Sequence, residues 1–416
     1  MNLKNGNRGF IRGLVHRPLT YRVLRPLLDL LTLREENQAF RIWIHFILEV
    51  TRKAYGRKGP VVWMNAFTPT EMVYGLGAVP FMPEIIASLV AYMGQSRRPI
   101  ALADSRVSTD VCSFYRCALG LVLEGYLPKP DLILSTSYLC DGANKFFHDL
   151  SRIYGCPHLM LDPPYNDDPQ GRRYMVGQIR DAAEEMTRIL GLSWNHEALA
   201  RALVLSNQAR RYMVGINKLR RAAPSPFPGS EGLSYLAGMN FYSLGSSMGL
   251  TFYGYLHQEL KRRVARNRGY LPQEVYRILW LHHIRPYYRN DIFDFLGRQK
   301  AAVSFEEPNY LYWPYLDPHK PWEALAEKIL SNIWAGPLER RIRAIEQIVE
   351  DYGIDGVIHF SHWGCRQSCG GAGVIGDRLK DKGIPYIILP GDGADPDNYS
   401  PGQTRTRVQA LVEMLG

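Results

Sequence analysis

The stretch "PDLILSTSYLCDGANKFFHDLSRIYGCPHLMLD" at residues 130–162 decides the fold class. Its two ends, "PDLILST" (130–136) and "CPHLMLD" (156–162), are short apolar runs that predict buried strands. The intervening "GANKFFHDLSRIYG" predicts a helix. Two strands joined by a crossover helix lie parallel in one sheet. The stretch therefore predicts an α/β fold.

The last third of the chain repeats this alternation. It predicts strands in "DGVIHFS" (355–361) and "PYIILPGD" (385–392), and helices in "RIRAIEQIVEDYG" (341–353), "AGVIGDRLKDKG" (372–383) and "TRTRVQALVEML" (404–415). We therefore expect two doubly wound, Rossmann- or flavodoxin-like parallel-sheet domains joined by a helical segment.

The patterns divide the chain into four segments. We expect a basic helical N-terminal arm at 1–60, a first α/β domain at 61–174, a mainly helical linking domain at 175–300 and a C-terminal α/β domain at 301–416.

The positive charge of the chain is concentrated in the arm. The formal net charge is +10, and residues 1–60 hold twelve Lys or Arg against four Asp or Glu, which gives +8. The remainder is nearly balanced and has no zinc finger, basic zipper or RNA-binding aromatic motif, so we expect no nucleic-acid partner. The arm can dock on an acidic partner, hold a phosphorylated ligand or form a solvated helical face, and these alternatives stay open.

Composition indicates a cytoplasmic protein without a membrane span. No apolar run approaches the roughly 18 to 20 residues that cross a bilayer. Arginines interrupt every apolar run near the N-terminus, which argues against a secretory signal. Six cysteines in 416 residues are too few for a disulfide framework. In a reducing compartment, clustered cysteines more often bind metal or act in catalysis.

Three cysteines occupy positions where an α/β fold binds ligands. Such sites lie beyond the carboxyl ends of strands, where a thiolate gains from a helix N-terminus. Cys140 and Cys365 each follow a predicted strand and precede a helix, and Cys112 lies beside a helix start. Three thiolates with an open fourth position suit a [4Fe–4S] cluster, and zinc also fits. Scattered structural thiols remain a third interpretation.

The other three cysteines fit a shared site less well. Cys117 follows Cys112 by five residues, which turns it about 140° around the same helix, so we expect it in the core. Cys156 precedes a strand, at the opposite end from the expected site. Cys369 is four residues past Cys365 and is a fourth ligand, a neighbouring thiol or a packing residue.

Four segments, in this order, resemble the 2-hydroxyacyl-CoA dehydratase component D and benzoyl-CoA reductase family. They are "FTPTEMVYGLGAVPFMPE" (67–84), "DVCSFYRCALG" (110–120), the stretch from "LILSTSYLCDG" to "LMLDPPY" (132–165) and the C-terminal "YGIDGVIHFSHWGCRQSCGG…RTRVQALVEML" (352–415). The resemblance covers nearly the whole chain after about residue 60.

The resemblance implies an iron–sulfur enzyme subunit. By position, Cys112, Cys140 and Cys365 would hold one [4Fe–4S] cluster. The implied partners are a homologous second subunit in a heterodimer, an ATP-dependent iron–sulfur activator protein and an acyl-CoA substrate. The implied reaction removes water from an (R)-2-hydroxyacyl-CoA through a ketyl radical. The alternatives are a reductase of the same family, of the aromatic acyl-CoA or double-cubane [8Fe–9S] type, and a non-catalytic electron-relay or scaffold subunit.

Further side chains are candidates for roles near the substrate. Glu71 follows "TPT" in the first turn of a predicted helix and is a catalytic candidate or a surface carboxylate. Ser137 is a candidate to hydrogen-bond substrate, or it serves its own turn. His362 and Trp363 precede Cys365 and either shield the cluster, donate a hydrogen bond to it or pack in the core.

Overall fold

A computed structural model describes residues 6–31, 38–137 and 139–416. Eight strands lie in this part of the chain: β1 (Val61–Met64), β2 (Val79–Phe81), β3 (Leu132–Thr136), β4 (His158–Leu161), β5 (Tyr276–Leu281), β6 (Ala301–Glu306), β7 (Gly356–His362) and β8 (Tyr386–Gly391).

The helices before β5 are α1 (Gly6–Val15), α2 (Pro18–Leu31), α3 (Gln38–Tyr55), α4 (Thr70–Gly75), α5 (Pro83–Tyr92), α6 (Arg97–Ala103), α7 (Ser113–Leu123), α8 (Asp141–Tyr154), α9 (Pro169–Leu190), α10 (His196–Leu219), α11 (Gly229–Glu231), α12 (Ala237–Tyr242) and α13 (Ser247–Ala265). A π-helical turn at Gly232–Leu236 joins α11 to α12.

The helices after β5 are α14 (Ile292–Arg298), α15 (Pro321–Leu330), α16 (Leu338–Tyr352), α17 (Arg366–Cys369), α18 (Ala372–Asp381) and α19 (Pro401–Leu415). Short 3₁₀ turns lie at Glu307–Asn309 and Pro396–Asn398. No helix among the described residues is both long and apolar enough to cross a bilayer.

The strands form two four-stranded parallel sheets of the same topology. Their orders are β2-β1-β3-β4 and β6-β5-β7-β8. In each sheet the chain reverses its direction of winding between two central strands, β1 and β3 or β5 and β7. Ligands bind beyond the carboxyl ends of strands at such a switch point. Helices flank both sheets, which confirms the prediction of two Rossmann-like domains.

The element boundaries follow from residue pattern. β3 is buried on both faces, as its continuous apolar run predicts. α8 ends at Gly155, whose left-handed φ of 61° is favoured by glycine. The segment 175–300, expected to be mainly helical, is helical as far as α13. It also contains β5, a central strand of the second sheet.

Candidate functional site

Each of the three candidate cysteines is the residue immediately before a helix. Cys112 precedes α7, Cys140 precedes α8 and Cys365 precedes α17. The Sγ of Cys140 accepts a hydrogen bond from the backbone N–H of Ala143 at 3.4 Å. The cysteines therefore lie at helix N-termini, as the sequence predicts, where free backbone N–H groups stabilise negative charge.

One cavity of about 860 Å³ unites these cysteines. Cys112, Cys140 and Cys365 all line it, together with side chains of α3, α5, α12 and the loop after β5. Its volume lies within the range of small-molecule sites in proteins. Two sheets and the helices between them thus contribute to a single concave site.

The backbone on either side of the site is held in close approach. Gly364, with a φ of 74°, packs so tightly that a Cβ on it would lie 2.5 Å from the carbonyl oxygen of Asp110 and 2.7 Å from the nitrogen of Cys112. Leu139 has a φ of 80°, a region that costs energy for a residue other than glycine. The residues before Cys140 and Cys365 therefore both adopt left-handed conformations that orient the cysteines.

Polar contacts fix α7 to the second domain. The hydroxyl of Ser113 donates a hydrogen bond to Asp392, which follows β8. The buried Arg116 forms an ion pair with Asp395 of the same loop at 3.1 Å, and a second one within the first domain with Asp104 at 2.8 Å. These contacts hold Cys112, at the N-terminus of α7, against the loops of the C-terminal domain.

Two buried histidines contact the thiols. His362 Nε2 lies 3.2 Å from Cys112 Sγ, and His282 Nε2 lies 3.5 Å from Cys365 Sγ. His282 has a φ of 82°, and its backbone N–H donates to Glu307 at 2.7 Å. Burial lowers the pKa of both histidines, so both rings are neutral at neutral pH.

Burial also raises the pKa values of the three thiols. It raises the pKa of Cys112 well above its usual value, and the neighbouring Cys140 and Cys365 raise it further. It raises the pKa of Cys140 and brings that of Cys365 to about 12. This effect accords with the place of all three cysteines in the lining of one cavity. No three His, Cys, Asp or Glu side chains in the described ranges are arranged to hold a single metal ion.

Sequence reasoning missed Glu84, a carboxyl group that lines the same cavity. It lies in the first turn of α5, and its Oε1 accepts a hydrogen bond from the hydroxyl of Tyr115 at 3.2 Å. Its Oε2 is buried without a partner. Burial raises the pKa of Glu84 to about 7. Such a carboxyl can hold or release a proton near neutral pH.

Glu71 and Ser137, the two catalytic candidates from sequence, do not line this cavity. Glu71 is fully buried, where its Oε1 accepts hydrogen bonds from Lys328 Nζ at 2.6 Å and Ser206 Oγ at 2.8 Å. The Ser137 hydroxyl donates to Asp162 at the end of β4. Both side chains therefore make contacts within the fold, outside the group formed by the cysteines.

The remaining candidates near the cysteines lie at different depths. Cys369 is exposed, has its Sγ 3.2 Å from Ser361 Oγ and does not line the cavity. Trp363 is 52% exposed and so does not pack in the core. Cys117 is buried within α7, as expected.

The chain matches known proteins over most of its length. A family model described as "2-hydroxyglutaryl-CoA dehydratase, D-component" matches residues 65–415. The (R)-phenyllactyl-CoA dehydratase alpha subunit of Clostridium sporogenes is 25% identical over 399 residues, which cover 89% of this chain and 95% of that protein. A benzoyl-CoA reductase subunit of Thauera aromatica is 24% identical over 384 residues, 85% and 88% of the two chains.

A third relative is again named as a dehydratase subunit. The (R)-2-hydroxyglutaryl-CoA dehydratase subunit alpha of Acidaminococcus fermentans is 23% identical over 365 residues, 85% of this chain and 69% of that protein. The matches confirm the resemblance that the cysteine segments indicate. The chain belongs to the 2-hydroxyglutaryl-CoA dehydratase D-component family.

Proposed function

We propose that the protein is a subunit of an (R)-2-hydroxyacyl-CoA dehydratase, in which Cys112, Cys140 and Cys365 would hold one [4Fe–4S] cluster. The observation that carries this proposal is the presence of all three thiols in the lining of one cavity. They come from three separate loops and each precedes a helix. When bound, such a cluster supplies electron transfer and one iron with an open position that acts as a Lewis acid.

The residues present fit such a cluster. A cluster binds each thiolate at a different iron, so its sulfur ligands lie farther apart than those around one zinc ion. The three thiols line one cavity, and Cys140 and Cys365 raise the pKa of Cys112. Cys369 lies outside the cavity lining, which favours three protein ligands and an open position over four. These features support a group held by three thiolates, as the proposed [4Fe–4S] cluster would be.

The proposed reaction removes water, by syn or anti elimination, through a ketyl radical of the thioester. An ATP-dependent activator protein supplies the single electron, and a homologous second subunit completes the enzyme. Three relatives that are themselves named as enzyme subunits support a multi-subunit assembly. The acyl-CoA would enter the cavity that the thiols line.

Glu84 is the side chain to which we assign proton transfer. With a pKa of about 7, it can protonate the leaving hydroxyl group and then accept the β-proton. The first transfer completes a water molecule and the second restores the acid. Tyr115, which donates to Oε1, holds the carboxyl in place.

A second candidate is a reductase of the same family. The benzoyl-CoA reductase subunit of Thauera aromatica is 24% identical to this chain, between the 25% and 23% of the two dehydratase subunits. Such a reductase would use the electrons to reduce its substrate. It would act on an aromatic acyl-CoA, or it would carry a double-cubane cluster. A non-catalytic relay subunit would carry a cluster that does not respond to acyl-CoA.

One experiment separates these functions. The anaerobic complex with its partner subunit and activator is incubated with ATP and a panel that includes (R)-phenyllactyl-CoA and (R)-2-hydroxyglutaryl-CoA. Formation of an enoyl-CoA without net consumption of reductant supports the dehydratase. Stoichiometric consumption of reductant with a reduced acyl product supports the reductase. A cluster whose EPR spectrum is the same with and without acyl-CoA supports the relay.

A further inference from the structure

Arg285 is a cationic side chain on the cavity wall that makes no ion-pair contact with the residues that the structure describes. It lies in the loop between β5 and α14 and lines the same cavity as the three cysteines. Its side chain forms no ion pair or hydrogen bond with the residues that the structure describes, and its Nε is buried without a partner. A charge withdrawn from water is ordinarily compensated. The guanidinium of Arg285 is therefore a candidate to receive an anion from a ligand.

Aromatic rings hold this guanidinium in place. Its central carbon lies 5.3 Å from the ring centre of Tyr287 and 5.5 Å from that of Phe293. The Tyr287 hydroxyl donates to the carbonyl oxygen of Leu233 at 2.7 Å, which fixes the ring. Contacts of this kind orient a guanidinium and leave its N–H groups for other partners.

The acidic side chains of the cavity do not neutralise Arg285 by contact. Glu84, Glu231 and Asp294 also line the cavity, but none is within ion-pair distance of Arg285 among the contacts of the described chain. Glu231 accepts a hydrogen bond from Tyr235 and acts on Arg285 only electrostatically, raising its pKa against the lowering effect of burial. The guanidinium thus keeps its capacity for an external anion.

Arg285 and the three thiols line the same cavity. The ring of Tyr287, which supports the guanidinium, also contacts Phe114, the second residue after Cys112. One face of α5 lines the cavity from Glu84 to Tyr92, and these residues are separated by roughly 12 Å along a helix. Glu84 interacts with Cys140, whereas Tyr92 interacts electrostatically with Arg285. A ligand whose thioester lies at the cysteines would therefore share this cavity with the guanidinium of Arg285.

We propose that Arg285 binds a phosphate group of coenzyme A while the thioester lies beside Cys112, Cys140 and Cys365. This inference rests on the proposed function, since it assigns the anionic part of the same acyl-CoA. A guanidinium binds phosphate through two parallel hydrogen bonds, a geometry that lysine does not reproduce. The unpartnered nitrogen and the aromatic support both suit this role.

Binding of coenzyme A to an Arg285→Gln variant tests the assignment. Isothermal titration of the protein with its partner subunit compares free coenzyme A with pantetheine, which lacks phosphates. We expect coenzyme A to bind about 10- to 100-fold more weakly to the variant, because a charge-assisted interaction is lost. Binding of pantetheine should stay unchanged. Arg285→Lys should recover only part of the loss.

A matched control is Arg298→Gln, since Arg298 lies over the ring of Phe295 but outside the cavity lining. It should bind coenzyme A as the unmodified protein does. An Arg285→Gln variant with an unchanged thermal midpoint and unchanged affinity for coenzyme A would overturn the inference. Equal weakening of coenzyme A and pantetheine would overturn it too.

A further comparison tests whether Arg285 binds a carboxylate of the acyl chain instead of a phosphate. Glutaryl-pantetheine and butyryl-pantetheine are compared on the same variant, and weakening of the glutaryl compound alone would reject the phosphate assignment. The proposed function fails separately, when the unmodified protein neither holds iron nor dehydrates a 2-hydroxyacyl-CoA. Dependence of coenzyme A binding on Arg285 would then still support the anion site.

Discussion

The Nε2 of His362 lies 3.2 Å from the Sγ of Cys112, although 250 positions separate the two residues. The Nδ1 of the same ring accepts the backbone N–H of Gly393 at 3.1 Å. A neutral imidazole that accepts at Nδ1 carries its proton on Nε2. His362 therefore donates its hydrogen bond to the sulfur of Cys112, and the second domain supplies this donor.

This donor should raise the reduction potential of a cluster bound by Cys112. Hydrogen bonds to the sulfur ligands stabilise the more negative, reduced state. The His362→Phe variant removes the donor and keeps a ring of similar size. We expect a fall in potential of about 20–60 mV, which corresponds to the net free energy of one hydrogen bond. An EPR-monitored redox titration measures it.

His359→Phe serves as the control, because His359 is buried on the same strand and bonds to Tyr386 rather than to a cysteine. The cluster of the His359→Phe variant should have the same reduction potential as that of the unmodified protein. Identical potentials in the His362→Phe and unmodified proteins would show that this contact does not act on the cluster.

Glu84 makes the stability of the metal-free protein depend on pH. Its pKa is about 7 in the folded state against 4.5 as the ordinary value, so the folded protein binds a proton that the unfolded chain releases. The associated stability is present below pH 4.5 and is lost as pH rises through 7. As pH rises from 4.5 to 8, we expect the free energy of unfolding of Glu84→Gln to increase by about 3 kcal/mol relative to that of the unmodified protein.

Urea unfolding of both proteins at a series of pH values measures this difference. Parallel pH profiles would show that burial does not perturb Glu84. In the loaded enzyme, the same variant should lose dehydration activity by about 10²- to 10⁴-fold while keeping its iron, because a general acid–base group is removed.

Gly364 permits the approach between the loops of Cys365 and Cys112. Alanine at this position combines a left-handed φ of 74° with contacts of 2.5 Å and 2.7 Å to neighbouring backbone atoms. We expect Gly364→Ala to lower the free energy of unfolding by about 1–3 kcal/mol and to reduce bound iron. Urea unfolding and iron analysis measure the two effects.

Gly177→Ala provides the comparison, since Gly177 lies inside α9 with open space around it. That change should stabilise the protein by about 0.5–1 kcal/mol without affecting iron. A Gly364→Ala protein with unchanged stability and iron would contradict the role given to this close approach.

α3 should influence the choice of acyl group. It precedes the matched range 65–415, yet its Phe40, Trp43 and Ile44 line the cavity. Ile44→Phe narrows this wall, and we expect kcat/KM for a bulky acyl-CoA to fall about 10-fold relative to a small one. Ile47→Phe, on the same helix but outside the lining, should leave this ratio unchanged. The same ratio of kcat/KM values in both variants would show that α3 does not influence the choice of acyl group.

Much of the fold and three residues of the candidate site were predictable from local pattern. The strand, helix and strand of 130–162 appear as β3, α8 and β4, and Cys112, Cys140 and Cys365 precede helices as expected. β5 was less accessible to sequence reasoning. Its last four residues (278–281) form a short apolar run, which periodicity does not distinguish from a buried piece of helix.

Glu84 and His282 were not predictable for a different reason. A glutamate in the first turn of a helix ordinarily complements the helix dipole, so its sequence position carries no unusual signal. Its raised pKa comes from burial by elements distant in sequence, although the hydrogen bond from Tyr115 on α7 lowers it. His282 meets Cys365 only because β5 and β7 are neighbours in the second sheet.

The central claim is that Cys112, Cys140 and Cys365 share one iron–sulfur cluster, and the iron content of single Cys→Ser variants purified without oxygen tests it most directly. We predict that each of these three variants loses most of its iron and its cluster absorption, while Cys117→Ser and Cys156→Ser keep both. A full iron complement in all three would contradict the account.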